Sequence, residues 1–441
     1  MSSAALAAAK IAMQSRRSEL HKVSKEDNVM AITRRTFIGS GLASAGALWT
    51  FGHARADAAN TIRFGHLTDM SGVYRDVEGP TSVACLQQAV EEFTKANPAF
   101  KVEILIADHQ NKADIGLGII RQWFDVDGVD VITNIGNSAV ALGAKPVIEA
   151  KDKVALISSA GSSALTGASC SANWVHWSWD SWCLAHSTAT SMVRTGGDKW
   201  FFVTADYAFG HAAQADAAKF VQAAGGKVIG TVKYPYGTTT DFSSYLLQAQ
   251  GSGANVIAFA NSGADLVNCM KQSQEFGLAK TTRLAAMVGY ITDVLAMGLP
   301  TANGMTLTET FYWDLNDRTR AFQKRIAPKL APGVFPNMSQ VGDYSGPLHY
   351  LKTVKEVGVA SAKASGRGMV AMMKKMPTDD DCFGKGSIRA DGRKIHPAYL
   401  FEVKPPQEST SRGDVYRLRA SLPADDAFRP LADGGCPLVK M

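Results

Sequence analysis

The stretch that decides the fold is residues 61–108, TIRFGHLTDMSGVYRDVEGPTSVACLQQAVEEFTKANPAFKVEILIAD. Ile62 to Leu67 is a short apolar run. Val83, Leu86, Val90 and Phe93 then recur at helical spacing until Asn97-Pro98 stops the helix. Val102 to Ala107 is a second apolar run. Strand, helix, strand in that order predicts a parallel pair, because parallel neighbours need a long crossover rather than a tight turn.

The pattern continues outward. Ala113 to Asp125 reads as a helix with Ile115, Ile119, Ile120 and Phe124 apolar, and Val129 to Thr133 as a strand. A helix to Ala150 and a strand from Lys153 to Ile157 follow. The alternation then restarts: strands at Trp200–Thr204, Lys227–Lys233, Asn255–Ala260 and Leu284–Val288 are separated by helices over Phe209–Ala223, Asp241–Gln250 and Ala264–Phe276. The fold class is α/β, with two doubly wound lobes in tandem. Such sheets bind ligands in the crevice beyond the carboxyl ends of their strands. A helix over Tyr344–Val357 is expected to return to the first lobe, and residues 376–441, rich in Pro, Gly and Asp, read as an irregular tail.

Composition agrees with a globular protein. The 441 residues are 46% hydrophobic and 20% charged, and the length suits two or three domains. The formal charge of +6 is spread without a dense basic stripe, which argues against a nucleic-acid binder. Thr33-Arg34-Arg35-Thr36-Phe37-Ile38, an uncharged stretch from Phe37 to Phe51 and Ala54-Arg55-Ala56 together have the layout of an export signal. The paired arginines resemble the twin-arginine type. The stretch is too short and Gly-rich for a membrane span. Residues 1–29 are either a misassigned start or a long leading region. Cleavage after Ala56 removes eight basic and three acidic residues, so the mature chain is nearly neutral.

Several chemistries lack their motifs. There is no G-x-S-x-G, G-x-x-x-x-G-K-[ST] or H-E-x-x-H, and no G-x-G-x-x-G follows the first strand. No cofactor, metal or catalytic residue is expected. None of the six cysteines forms a C-x-x-C pair. Cys170 and Cys183 flank a Trp-rich loop, and Cys382 and Cys436 share the C-terminal region. Those two pairs are the expected disulfides, with Cys85 and Cys269 as buried thiols.

Four segments resemble the periplasmic solute-binding proteins of ABC importers, of the branched-chain amino acid and amide type. They are Gly65–Tyr74 with Gly79 and Ala89-Val90-Glu91-Glu92; Ile135–Ala139 with Ile157–Thr166; Thr204–Gly210; and Ala260–Gly263 with Lys271-Gln272 and Phe276-Gly277-Leu278. Their order spans about residues 61–360. The resemblance implies two Rossmann-like lobes with parallel sheets, a three-stranded hinge and closure around a small solute in the cleft between the lobes. The lobes would be 57–181 plus 316–375, and 182–315. It further implies a periplasmic location, an ABC permease and ATPase complex at the inner membrane as partner, and a monomer that catalyses nothing. A sensor that signals to a membrane receptor and an enzyme on the same scaffold are the competing readings.

The candidate ligand residues follow from the motifs. Ser159 to Ser163 is a hydroxyl-rich strand end able to hold a carboxylate without a cation, which nominates Ala160, Gly161 and Ser162. Asn137 and Ser138 stand at a neighbouring strand end, the resemblance implies Tyr74 and Tyr207 as aromatic walls, one on each lobe, and Asn261, Ser262 and Tyr290 lie at strand ends of the second lobe, as ligand contacts or plain turn residues. Relatives commonly carry Phe-Arg-Thr after the small-residue loop. This chain has Trp174-Val175-His176-Trp177-Ser178-Trp179-Asp180-Ser181-Trp182, with Trp177 about where the Arg would be. These rings form either a hydrophobic seam or a cleft wall for a flat ligand. Asp206, Asp265 and Asp293 are the acids considered for a ligand ammonium.

Overall fold

The computed structural model describes residues 60–439, and the export-signal reading of residues 1–56 lies outside them. The first parallel sheet contains β1 (Thr61–Thr68), β2 (Lys101–Asp108), β3 (Val131–Asn134), β4 (Val154–Ile157) and β5 (Trp174–His176) in the order β2-β1-β3-β4-β5. The second contains β6 (Lys199–Ala205), β7 (Lys227–Tyr234), β8 (Val256–Ala260) and β9 (Arg283–Ala286) in the order β7-β6-β8-β9. All their pairings are parallel. The central strands β3, β4 and β8 are buried throughout, and β4 and β8 are uninterrupted apolar runs, as a strand covered on both faces requires. Edge strands β2 and β7 are partly exposed. In each sheet the order reverses next to the first strand, at β1/β3 and at β6/β8. Side chains from loops diverging at such points face an open crevice.

The helix Gly79–Ala96 buries Leu86, Ala89 and Phe93 and packs on the long helix Met338–Val357. The latter starts six residues earlier than the sequence suggested. Asn337 caps it, accepting from the Ser339 and Gln340 amides, and Gln340 returns a bond to the Asn337 amide. Gly342 weakens the helix preference of this added turn, but it is buried and packing overrides that preference.

Between the lobes, separate chain segments knit together. Thr310 Oγ1 donates to the Ser178 carbonyl at 3.1 Å.

Two expectations require correction. The tail expected to be irregular over 376–441 carries regular strands within its described residues, 376–439. These are β11 (Thr378–Asp380), β12 (Gly384–Ile388), β13 (Lys394–Ile395), β14 (Ala398–Val403) and β15 (Tyr416–Leu422). Strands β11–β13 form one antiparallel sheet, and β14 lies between β15 and β10 (Thr306–Glu309) in another. Strands β11 to β13 are only two to five residues long, and β14 and β15 are held by pairing with each other and with β10, so partners stabilise what local preference does not.

The disulfide is Cys170–Cys436, with a Cα–Cα distance of 5.7 Å, rather than Cys170–Cys183 or Cys382–Cys436. Cys183 and Cys382 are buried free thiols. Cys183 lies inside the helix Ser181–Arg194, and Cys382 sits in the apolar core with Cys85. The chain end instead folds back onto the Ser163–Cys170 loop, where Arg429 Nη2 donates to the Ser163 carbonyl at 2.9 Å. Proximity in sequence was a poor guide because the docking of the tail sets the pairing.

Candidate functional site

A small cavity lies between the two parallel sheets. Its lining comes from loops just past the carboxyl ends of successive strands. Tyr74, Val77 and Glu78 follow β1, Gly136 follows β3, Ser159 and Gly161 follow β4, and Trp179 follows β5. From the other lobe, Tyr207 and Phe209 follow β6, Ser262 follows β8 and Tyr290 follows β9. Both lobes contribute because both switch points open on the same space.

The aromatic walls hold one another in place. The Tyr74 and Tyr207 hydroxyls are hydrogen-bonded to each other across the lobes. Tyr207 stacks on Tyr236 with centroids 3.8 Å apart and planes within 10°, and Asn111 Nδ2 donates to the Tyr236 hydroxyl. Trp179 meets Phe209 and Tyr290 edge-on at 5.9 and 6.0 Å. Two close approaches shape the floor. A Cβ on Gly161 would stand 2.2 Å from the Trp179 ring, and one on Gly136 would overlap the Glu78 carboxylate. Glycine at both places lets a ring and a carboxylate lie directly over the backbone.

The polar groups are few and none of the lining side chains is basic. Ser159 Oγ and Ser262 Oγ are buried without a hydrogen-bond partner, which leaves them available to a ligand. Glu78 is 1% exposed. Burial raises its pKa, opposed by His109 and by the Asp69 amide, which donates to Oε2 at 3.2 Å. His109 Nε2 stands 3.5 Å from Glu78 Oε2, outside hydrogen-bond geometry. Burial lowers the His109 pKa, while Glu78, Asp69 and Asp108 outweigh burial and raise it overall. The geometry argues for the neutral ring all the same. Nδ1 accepts from the Asn111 amide at 3.0 Å, so a proton there would break that bond and the ring proton belongs on Nε2.

Of the residues singled out from sequence, Tyr74, Gly161, Tyr207, Ser262 and Tyr290 are brought together around this cavity. The others stand just behind it. Asn137 caps the helix Ser138–Ala150 and donates to Asn111 Oδ1 at 2.6 Å, Ser138 Oγ accepts from the Ser162 amide, and Ser162 Oγ caps the turn Ser163–Thr166. The Ala160 carbonyl accepts from His176 Nε2 at 2.6 Å. Asn261 Nδ2 donates to Cys269 Sγ.

Trp177 is displaced from the role considered for it. Its amide donates to the Ile157 carbonyl, which extends the β5 ladder by one residue. Its ring is therefore held at sheet level, with Nε1 donating to Ser345 Oγ at 2.7 Å, and does not line the cavity. Trp179, two residues past that last rung, reaches it. Asp206 is exposed beside His211 and Lys233, Asp265 accepts from the Tyr234 hydroxyl, and Asp293 caps Tyr290. The acid on the cavity is Glu78, which sequence reasoning missed. Its one local signal is its place just before Gly79-Pro80 at a helix start.

The comparisons agree with this geometry. A family model described as "Periplasmic binding protein" matches residues 61–412. A periplasmic binding protein from Burkholderia mallei is 40% identical with a TM-score of 0.82, over 87% of this chain and 100% of that one. A branched chain amino acid ABC transporter periplasmic ligand-binding protein from Burkholderia xenovorans LB400 is 35% identical with a TM-score of 0.74, over 86% and 99%. A solute-binding protein of an ABC transporter from R. palustris, in complex with 4-hydroxybenzoate, shares the fold at 20% identity and a TM-score of 0.74, over 82% and 97%. No curated protein sequence matches the chain. A family match over most of the chain, two parallel-sheet lobes and a cavity lined from both of them lead to one conclusion: the chain belongs to the periplasmic binding protein family, the solute-binding proteins of ABC transporters.

Proposed function

We propose that this protein is the extracytoplasmic solute-capturing subunit of an ABC importer. It takes up a small organic solute by closing lobe 57–181 plus 316–375 on lobe 182–315, and delivers it to a permease and ATPase complex at the inner membrane. The observation that carries this reading is the cavity itself, small, buried, and walled by Tyr74 and Trp179 from one side and Tyr207, Phe209 and Tyr290 from the other. Closure around a solute excludes water from both halves at once, so ligand and lobe contacts stabilise each other. The protein acts by binding and release, not catalysis, and works as a monomer in the periplasm after loss of its export signal. Its solute has a flat or branched apolar body with a polar head, the class that spans aromatic or other carboxylates, amides and branched-chain amino acids. A thermal-shift screen over those classes tests it, because a solute bound only by the folded state raises Tm by mass action. The expected result is a dose-dependent rise for one class that the Tyr207→Ala variant abolishes. No shift with any class would overturn the proposal.

A further inference from the structure

Resting on the lobe-closure reading above, we infer that Asp216 is a positioning residue for solute capture. Through the Ser163 and Ser181 hydroxyls it latches the two lobes together at a place the solute does not touch. Ser163 stands on the loop beyond β4 of the first sheet, and Asp216 on the helix Ala208–Ala223 that follows β6 of the second. Ser163 Oγ donates to Asp216 Oδ2 at 2.7 Å, and Ser181 Oγ donates to the same oxygen at 2.6 Å. Ser181 opens the helix Ser181–Arg194, which packs on the Asp216 helix. The Ser163 bond therefore crosses from lobe to lobe, while the Ser181 bond runs between neighbouring helices. None of these three residues lines the cavity.

Asp216 is 4% exposed. Burial raises its pKa, and the Ser181 and Ser163 hydroxyls oppose that rise. A buried carboxylate is costly without donors, so a charge-assisted bond made only when the lobes meet favours the closed form. The chain end sets the first-lobe half of the latch. The Ser163 amide donates to Ser181 Oγ at 3.3 Å, and its carbonyl accepts from Arg429 Nη2 at 2.9 Å. The Cys170–Cys436 bridge ties that end to the same loop, and a Cβ on Gly167 would stand 2.8 Å from the Gly434 carbonyl oxygen. A turn held this way need not be ordered at each closure, which lowers the entropy lost on closing. The Tyr74–Tyr207 pair stands on the cavity wall, where a solute can perturb it. The Asp216 latch lies outside, so it favours closure by the same factor whatever the solute.

The test reads the distance between spin labels on Val126→Cys and Leu247→Cys, exposed positions on the first and second lobe. It is measured without solute and with leucine, benzoate or benzamide, one from each proposed class. The expected result is a closed, short-distance population in the protein without solute. S163A lowers the closed-to-open ratio at least five-fold, and so does D216N. The double variant falls no further than D216N alone, because both changes remove the same bond. An S163A ratio equal to that of the parent overturns the inference whether or not D216N folds. Additive losses in the double variant also overturn it, as does the absence of any closed population before solute is added. If S163A matches its parent while a solute still shortens the distance, the latch falls alone and solute capture stands. If neither solute nor variant moves the lobes, both fall.

Discussion

The hydroxyls of Tyr74 and Tyr207, 133 positions apart in the chain, are hydrogen-bonded to each other across the seam between the two lobes. Tyr207 is fixed for this by its stack on Tyr236, and Tyr74 by its position beyond β1. The pair joins the lobes on the wall of the cavity itself, so anything that closes the lobes must satisfy this contact.

Tyr207→Phe removes the hydroxyl and keeps the stack. A neutral hydrogen bond contributes roughly 0.5–1.5 kcal/mol, so solute affinity is expected to fall about 2- to 10-fold with little change in the unliganded Tm. Tyr207→Ala also removes the stacked ring and is expected to weaken binding further. Calorimetric titration of both variants checks the order; equal affinity in wild type and both variants would remove Tyr207 from the site.

Gly161→Ala forces a methyl group to within 2.2 Å of the Trp179 ring. The ring cannot bend away, so Trp179 must shift, at an overpacking cost of about 1–3 kcal/mol. Loss of binding by at least ten-fold and a changed tryptophan emission are expected. Gly118→Ala is the control. A Cβ there meets nothing within 4 Å, and the helix interior gains roughly 0.5–1 kcal/mol.

The Cys170–Cys436 bridge closes a long loop, with a sequence separation of 266. Removing it with Cys170→Ser is expected to cost on the order of 2–5 kcal/mol and to lower Tm. Cys183→Ser leaves the bridge intact. Peptide mapping under non-reducing conditions should find residues 170 and 436 linked; a linkage of Cys382 to Cys436 would contradict the structure.

Burial pushes the Asp293 and Glu309 carboxyls up to about 8 each. In the unfolded chain such acids titrate near pH ~4, so the folded state holds protons that the unfolded state has lost. The stabilisation is complete below pH ~4 and disappears as pH rises through about 8. Buried His66 and His349, lowered to about 3 and 4, act oppositely, but only below their unfolded value of 6.5. Between pH 6.5 and 8 buried Lys394, lowered to about 7, opposes the two acids from about pH 7 upward, but the two acids outnumber it and Tm is expected to fall as pH rises. Glu309→Gln should flatten that slope, and a Tm that rises across this window in wild type would show that the acids are not buried as described.

How far the sequence reaches is visible in the tryptophans. Apolar strand runs at period-breaking Gly and Pro residues made both parallel lobes readable, because hydrophobic spacing is a local property. The family resemblance, read on strand ends, nominated Tyr74, Gly161, Tyr207, Ser262 and Tyr290, which the structure places on the cavity lining. It did not separate Trp177 from Trp179. Both are large and buried, and what distinguishes them is the one extra rung by which the Trp177 amide pairs with Ile157.

The sequence by itself therefore determined the strand–helix alternation, the two lobes and the loops that face the crevice, since each depends on residues near one another in the chain. Only the tertiary structure decided that Cys170 meets Cys436, that residues 398–422 build a sheet on β10, and that Glu78 is the acid on the cavity. Those outcomes depend on segments far apart in sequence arriving at one place. Their energetics come from close packing and burial, which no local pattern records.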